Sequence, residues 1–172
     1  MNQNIIKFFR ISKIMKLEYV TWDEAENMCR QLAEKAEKFS PDMLVGISRG
    51  GLVPVRLLSD ILDNRNVATI KIEFYKTLNK TSGLPRITQP LTADVKGKKV
   101  LIVDDVSDTG MSLQVAKDHV MRAGATEVKI ATLHFKPKST VEPDFFIAKT
   151  ENWIVYPWEK NEVARDLKAK ST

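Results

Sequence analysis

Hydrophobic and polar positions along this 172-residue chain switch between two periods. Short apolar runs mark buried strands at Met43–Ile47 and Val100–Val103, and apolar-rich stretches mark further strands at Val67–Phe74 and Glu127–Leu133. Between them, apolar residues recur every three or four positions, which predicts helices with one face on a core. Trp22, Ala25, Met28, Leu32, Ala33, Ala36 and Phe39 form one such stripe. Thr21, with Glu24 three residues on, opens it as a capping box, and Ser40-Pro41-Asp42 ends it. Leu52–Leu62, with Pro54 near its start, is a second helix, and Met111–Ala123, stopped by Gly124, is a third. Leu17–Val20 is a further short strand, Phe145–Ala148 and Trp153–Trp158 are short apolar pieces, and Glu162–Thr172 reads as a short polar helix. Strands alternating with helices predict an α/β fold, a parallel sheet with helices on both faces. Tyr75–Pro90 lacks periodicity, carries Gly83, Pro85 and Pro90, and is long for a connection; it reads as a lid loop.

Composition narrows the class. With 43% hydrophobic and 28% charged residues the chain is an ordinary globular protein, and its length suits one domain. The net charge of +5 fits an enzyme that holds polyanionic substrates as well as it fits nucleic-acid contact. The basic residues are scattered, and too few residues precede the first helix for a helix-turn-helix domain, so nucleic acid is an unlikely partner. Cys29 is the one cysteine, which excludes an internal disulfide and favours a reducing, cytoplasmic setting. No apolar run is long enough to span a membrane. Residues 1–14 carry Lys7, Arg10 and Lys13 and no acid; they are read as an N-terminal arm ahead of a single domain over 15–172.

Two stretches carry candidate chemistry. In Val100–Leu113, VLIVDDVSDTGMSL, a buried strand delivers Asp104 and Asp105 and then the turn Ser107-Asp108-Thr109-Gly110 to the mouth of a helix. Helix N-termini present unpaired N–H groups and a positive dipole end, so this is a natural phosphate seat. Adjacent acids beside it suit sugar hydroxyls or a metal-bound polyphosphate. In Gly46–Leu52, GISRGGL, two glycines let the backbone approach a ligand and Arg49 offers a fork of donors to phosphate oxygens.

The first stretch resembles the phosphoribosyl pyrophosphate (PRPP) signature of the type I phosphoribosyltransferases, position by position, with Ser107 a little polar for its slot. SRGGLVP resembles the pyrophosphate loop of the xanthine-guanine (6-oxopurine) enzymes of that family. The resemblance spans roughly Met15–Glu159. It implies the family's fold, a mostly parallel central sheet with a flexible lid loop and a C-terminal hood at about 134–160. It also implies a non-proline cis peptide near Ser48-Arg49, and a homodimer or homotetramer.

The resemblance further implies the transfer of 5-phosphoribosyl from PRPP to a 6-oxopurine (guanine, xanthine or hypoxanthine) in purine salvage, with Mg²⁺. PRPP would be held by Ser48, Arg49 and Gly50, by Asp104 and Asp105 on the ribose, and by Ser107, Thr109, Gly110, Met111 and Ser112 around the 5′-phosphate. Asp105 would also lie near the metal. Asp108 would face the purine's imidazole nitrogen as acid/base. Lys136, in HFKPKS, would donate to the 6-oxo group, Trp153, in NWIVYPWE, would stack on the base, and Ile154 would offer its backbone to the purine edge. Arg86 in the lid or Lys71 in the preceding strand would supply a further cation to the pyrophosphate. Two other readings stand beside this one: a phosphoribosyltransferase for adenine or a pyrimidine, and a PRPP-binding regulator without catalysis.

Overall fold

The structure is a computed structural model, and it describes residues 16–75 and 83–169. The N-terminal arm therefore lies outside the described residues. The described residues divide into two compact units, one within residues 26–150 and one of residues 16–25 with 151–169.

The larger unit holds a six-stranded sheet. Its strands are β2 (Met43–Ser48), β3 (Val67–Tyr75), β4 (Leu84–Gln89), β5 (Lys99–Ser107), β6 (Glu127–Phe135) and β7 (Phe145–Lys149), in the spatial order β4-β3-β2-β5-β6-β7. All neighbouring pairs are parallel except β3–β4. The apolar runs are continuous rather than alternating because both faces of the central strands are covered. Val45, Ile47, Ile70, Ile72, Val100, Ile102, Val128 and Ile130 point to one face and share a core with Leu113, Ala116 and Val120 of helix α3 (Met111–Arg122). The intervening Leu44, Leu101, Val103 and Leu133 are equally buried on the opposite face. There helix α2 (Leu52–Ile61) packs on β2, β3 and β5. Gly46 permits its close approach, since a Cβ at that position would lie 2.7 Å from Val55 Cγ1.

Two features depart from the sequence expectation. Residues 84–89, expected within a lid loop, form the edge strand β4, antiparallel to β3, with Arg86 opposite Glu73. Its residues are mostly exposed and include Pro85, which an edge strand tolerates, so no apolar run announces it. The rest of the expected lid, residues 76–82, lies outside the described residues. Strand β5 also runs past Val103 through both acids to Ser107, because β6 continues to pair with it up to the Ser107–Phe135 register.

In the smaller unit β1 (Leu17–Tyr19) pairs in parallel with β8 (Trp153–Val155), and α4 (Lys160–Ala169) follows. Tyr156 stacks on Trp158 at 4.8 Å between ring centroids, and Trp158 meets Trp22 at 5.7 Å. The expected capping box is formed: Thr21 N–H and Oγ1 both donate to Glu24 Oε2, and Glu24 N–H donates back to Thr21 Oγ1. The helix it opens, α1 (Trp22–Ala36), buries Cys29, Leu32 and Ala36 and ends in a short 3₁₀ turn, Glu37–Phe39.

Candidate active site

The strand order reverses between β2 and β5. The chain leaves β2 toward β3 on one side, and leaves β5 toward β6 on the other. Parallel sheets bind ligands outside the carboxyl ends of strands at such a point. Both sequence motifs emerge there, and the register Gly46–Val103 brings Ser48-Arg49-Gly50 level with Asp104-Asp105. The Ser48–Arg49 peptide bond is cis.

The two motifs touch. A Cβ on Gly50 would stand 2.5–2.6 Å from the carboxylate atoms of Asp105, so that carboxylate rests on the bare glycine backbone. Gly51 is equally constrained, since a Cβ there would strike the Val103 carbonyl and the Ile47 backbone. Asp105 is buried, and its backbone N–H donates to Asp104 Oδ1 at 3.0 Å, which orients the neighbouring acid.

Beyond the acids, a cavity of about 280 Å³ is lined by residues of the turn from Ser107 to Ser112, by Asp104, and by Phe74 and Gly83. Gly110 caps α3 at φ 80°, a left-handed conformation open to glycine without strain. The turn is braced from behind by residues 139–141. Ser107, almost fully buried, donates through its hydroxyl to the Val141 carbonyl at 2.8 Å and lies 2.8 Å from Ser139 Oγ. Thr140 donates twice to the Thr109 carbonyl, from N–H at 3.1 Å and from Oγ1 at 2.9 Å. Ser107, Thr109 and Ser112 all line the cavity, but the Ser107 hydroxyl is engaged by the loop behind.

Asp108 is the electrostatic focus. Its Oδ1 lies 3.2 Å from Lys136 Nζ and 2.9 Å from Lys138 Nζ. Lys136 is only 5% exposed at its side chain, whereas Lys138 is 63% exposed. Burial alone pushes the Asp108 carboxyl up, but Lys138 and Lys136 more than offset this and hold it below its usual range.

The remaining predicted residues fall elsewhere. Arg86 lies on β4 with its guanidinium over the Tyr75 ring, 5.8 Å from the centroid. Lys71 is the register partner of Ser48 across the β2–β3 ladder, and its ammonium pairs with Glu73 at 3.0 Å. Trp153 and Ile154 belong to β8 of the smaller unit, the first half-exposed and the second buried. Lys138 and the Ser139–Val141 brace escaped the sequence reading; the only signal was a second lysine two residues past Lys136, in KPK.

No group of three or more His, Cys, Asp or Glu side chains is placed to hold a metal among the described residues. The adjacent carboxylates Asp104 and Asp105 nonetheless suit Mg²⁺, which is commonly bound by one or two carboxylates together with substrate phosphates. A larger depression of about 850 Å³, lined by Pro41, Asn64, Asn66 and Lys98, lies away from these motifs. Its asparagine amides donate to the Pro41 and Asp42 carbonyls, so they serve the local turns.

Residues 17–165 match the model of the phosphoribosyl transferase domain family. A xanthine-guanine phosphoribosyltransferase of Cereibacter sphaeroides is 32% identical, over 82% of this chain and 86% of the relative. A hypoxanthine-guanine phosphoribosyltransferase of Saccharomyces cerevisiae is 29% identical, over 85% of this chain and 87% of the relative. Among solved structures, the purine phosphoribosyltransferase of Pyrococcus horikoshii matches with a TM-score of 0.77 and 44% identity, covering 84% of this chain and 94% of that one. With the Ser48–Gly51 loop, the paired acids and the turn after β5 gathered at one switch point, the chain belongs to the phosphoribosyltransferase family.

Proposed function

We propose that the protein transfers 5-phosphoribosyl from PRPP to a 6-oxopurine, releasing pyrophosphate and a purine nucleoside 5′-monophosphate. The observation that carries this reading is the Lys136–Asp108 pair, with ammonium and carboxylate 3.2 Å apart at the edge of the phosphate turn. A 6-oxopurine presents an acceptor, its 6-oxo oxygen, beside an imidazole N–H. A donor and an acceptor side by side match that edge. Adenine offers an amino group where the oxygen would be and sets one donor against another. The names of the relatives support the same substrate class.

The reaction follows from the residues in place. The 5′-phosphate sits on the N–H groups of the turn and the hydroxyls of Thr109 and Ser112, at the positive end of α3. Asp104 and Asp105 accept from the ribose hydroxyls. Ser48, Arg49 and Gly50 hold the pyrophosphate, with Arg49 taking up charge as the C1–oxygen bond breaks. Arg86 on β4 or Lys71, the register neighbour of Ser48, would add a second cation there. The unprotonated ring nitrogen of the five-membered ring forms the bond to C1, and the proton on its partner nitrogen passes to Asp108. Mg²⁺, held through Asp105 and substrate oxygens, would neutralise charge on the leaving pyrophosphate. The stacking and edge roles of Trp153 and Ile154 rest on the family resemblance, as do a homodimeric or homotetrameric state and a cytoplasmic location. No helix among the described residues is long and apolar enough to cross a membrane.

Pyrophosphate release from PRPP and Mg²⁺, measured with guanine, hypoxanthine, xanthine, adenine, uracil and orotate in turn, tests the reading. Turnover is expected with 6-oxopurines only. Lys136→Ala is expected to lower kcat/KM for guanine by about 10–100-fold, the worth of one charge-assisted hydrogen bond, and to erase the preference over adenine. Turnover of the wild type with adenine or a pyrimidine would overturn the assignment. PRPP binding without turnover on any base would point to a regulator.

A further inference from the structure

Asp108 Oδ1 receives two ammonium groups where the recognition of one purine edge needs only one. We propose that Lys138 is a positioning residue that latches Asp108 in the empty site and has to swing away when the base arrives. This rests on the reading of Asp108 as the acceptor of the purine's imidazole N–H.

The geometry decides which lysine moves. Oδ1 is sealed from solvent and faces both ammonium groups, so an incoming N–H aimed at it competes with them for the same oxygen. Lys136 is buried, and its backbone is fixed on both sides. Its N–H donates to the Ser107 carbonyl at 3.0 Å, and its own carbonyl accepts from Ser139 N–H at 2.8 Å. Withdrawing its ammonium would strand a charge in a dry place. Lys138 lies on the same short loop but is mostly exposed, and its ammonium is rehydrated as soon as it lets go. Lys136 and Lys138 are the charged groups that act on Asp108, both from the loop that follows β6. The latch keeps the carboxylate ionised and aimed before the base enters, and it imposes a modest penalty on every base that must displace it.

The test uses the full-length enzyme with saturating PRPP and Mg²⁺ and guanine as the varied substrate. Lys138→Gln is expected to lower KM for guanine by about 2–5-fold, the range of a solvated ion pair, with the change falling on KM rather than kcat. Lys138→Arg should restore the wild-type KM. In the Asp108→Asn background the Lys138→Gln effect should vanish, because the two residues act as a pair. Without base, the midpoint of the Asp108 carboxyl, followed by carbon-detected NMR, should rise in Lys138→Gln. A guanine KM that stays put or increases, or an effect that persists in the Asp108→Asn background, would overturn the latch. Wild-type kcat/KM in Asp108→Asn alone would instead remove Asp108 from the reaction, and the reading on which the latch rests would fail first.

Discussion

Asp108→Asn is expected to lower kcat/KM for guanine by about 10²–10⁴-fold, the usual contribution of a positioned acid or base. The amide keeps the shape of the side chain but cannot take the purine's proton. The sign of the pH effect follows from the surroundings of Asp108. Burial raises its pKa, but Lys138 and Lys136 lower it further, and the net position is below that of a free aspartate. Asp108 is therefore ionised at neutral and mildly acid pH, and its titration contributes no loss of rate as pH falls from about 7 to about 5. The same shift is a stability statement. A carboxyl with a lowered folded pKa stabilises the fold fully above its unfolded pKa of about 3.9, and that stabilisation fades as pH drops through the lower folded value. Asp108→Asn removes this acid-side fade. It also leaves the buried Lys136 ammonium without its carboxylate, so Tm falls at neutral pH. Steady-state kinetics and thermal melts, run together at several pH values, separate the two effects. A variant with a lowered Tm but wild-type kcat/KM would show that the carboxylate serves the fold and not the reaction.

The parts of this site that were legible in the sequence are local ones. A strand, a turn and a helix start within a few residues, so VLIVDDVSDTGMSL and GISRGGL point to two candidate phosphate seats without reference to the rest of the chain. Their adjacency follows from topology, since both close central strands of one parallel sheet. What escaped depends on non-local partners. Strand β4 is a strand because β3 lies beside it, and its sequence, LPRITQ, lacks the apolar run of a central strand. Lys138 looks like any surface lysine until the loop after β6 folds back over the turn after β5 and sets its ammonium on Asp108. Ser107 fits the phosphate motif by position, yet its hydroxyl points away into the brace of Ser139 and Val141. Sequence patterns report which backbone segment meets a ligand. They report poorly which side chains that segment spends on its own support.

Gly50→Ala tests the junction of the two motifs and is expected to lower kcat/KM for PRPP by about 100-fold, the loss that a misplacement near 1 Å can cause. The added methyl would lie 2.5 Å from Asp105 Oδ2 and 2.6 Å from its Cγ and Oδ1, inside any real contact distance. Something has to give, and the atoms in the way are the end of one side chain rather than backbone. The fold should therefore persist, with a Tm near that of the wild type, while the Asp105 carboxylate is pushed off the loop. Asp105 is only 6% exposed, so it has little free volume into which to retreat without losing its alignment on the ribose hydroxyls. The base side of the site is spared, because Asp108 and Lys136 meet each other and not Gly50. The preference for 6-oxopurines over adenine should survive in the residual activity, in contrast to Lys136→Ala, which is expected to erase it. An unchanged kcat/KM for PRPP in a folded Gly50→Ala variant would mean that the position of the Asp105 carboxylate does not matter to ribose binding, and the role of the paired acids would have to pass to Asp104 alone.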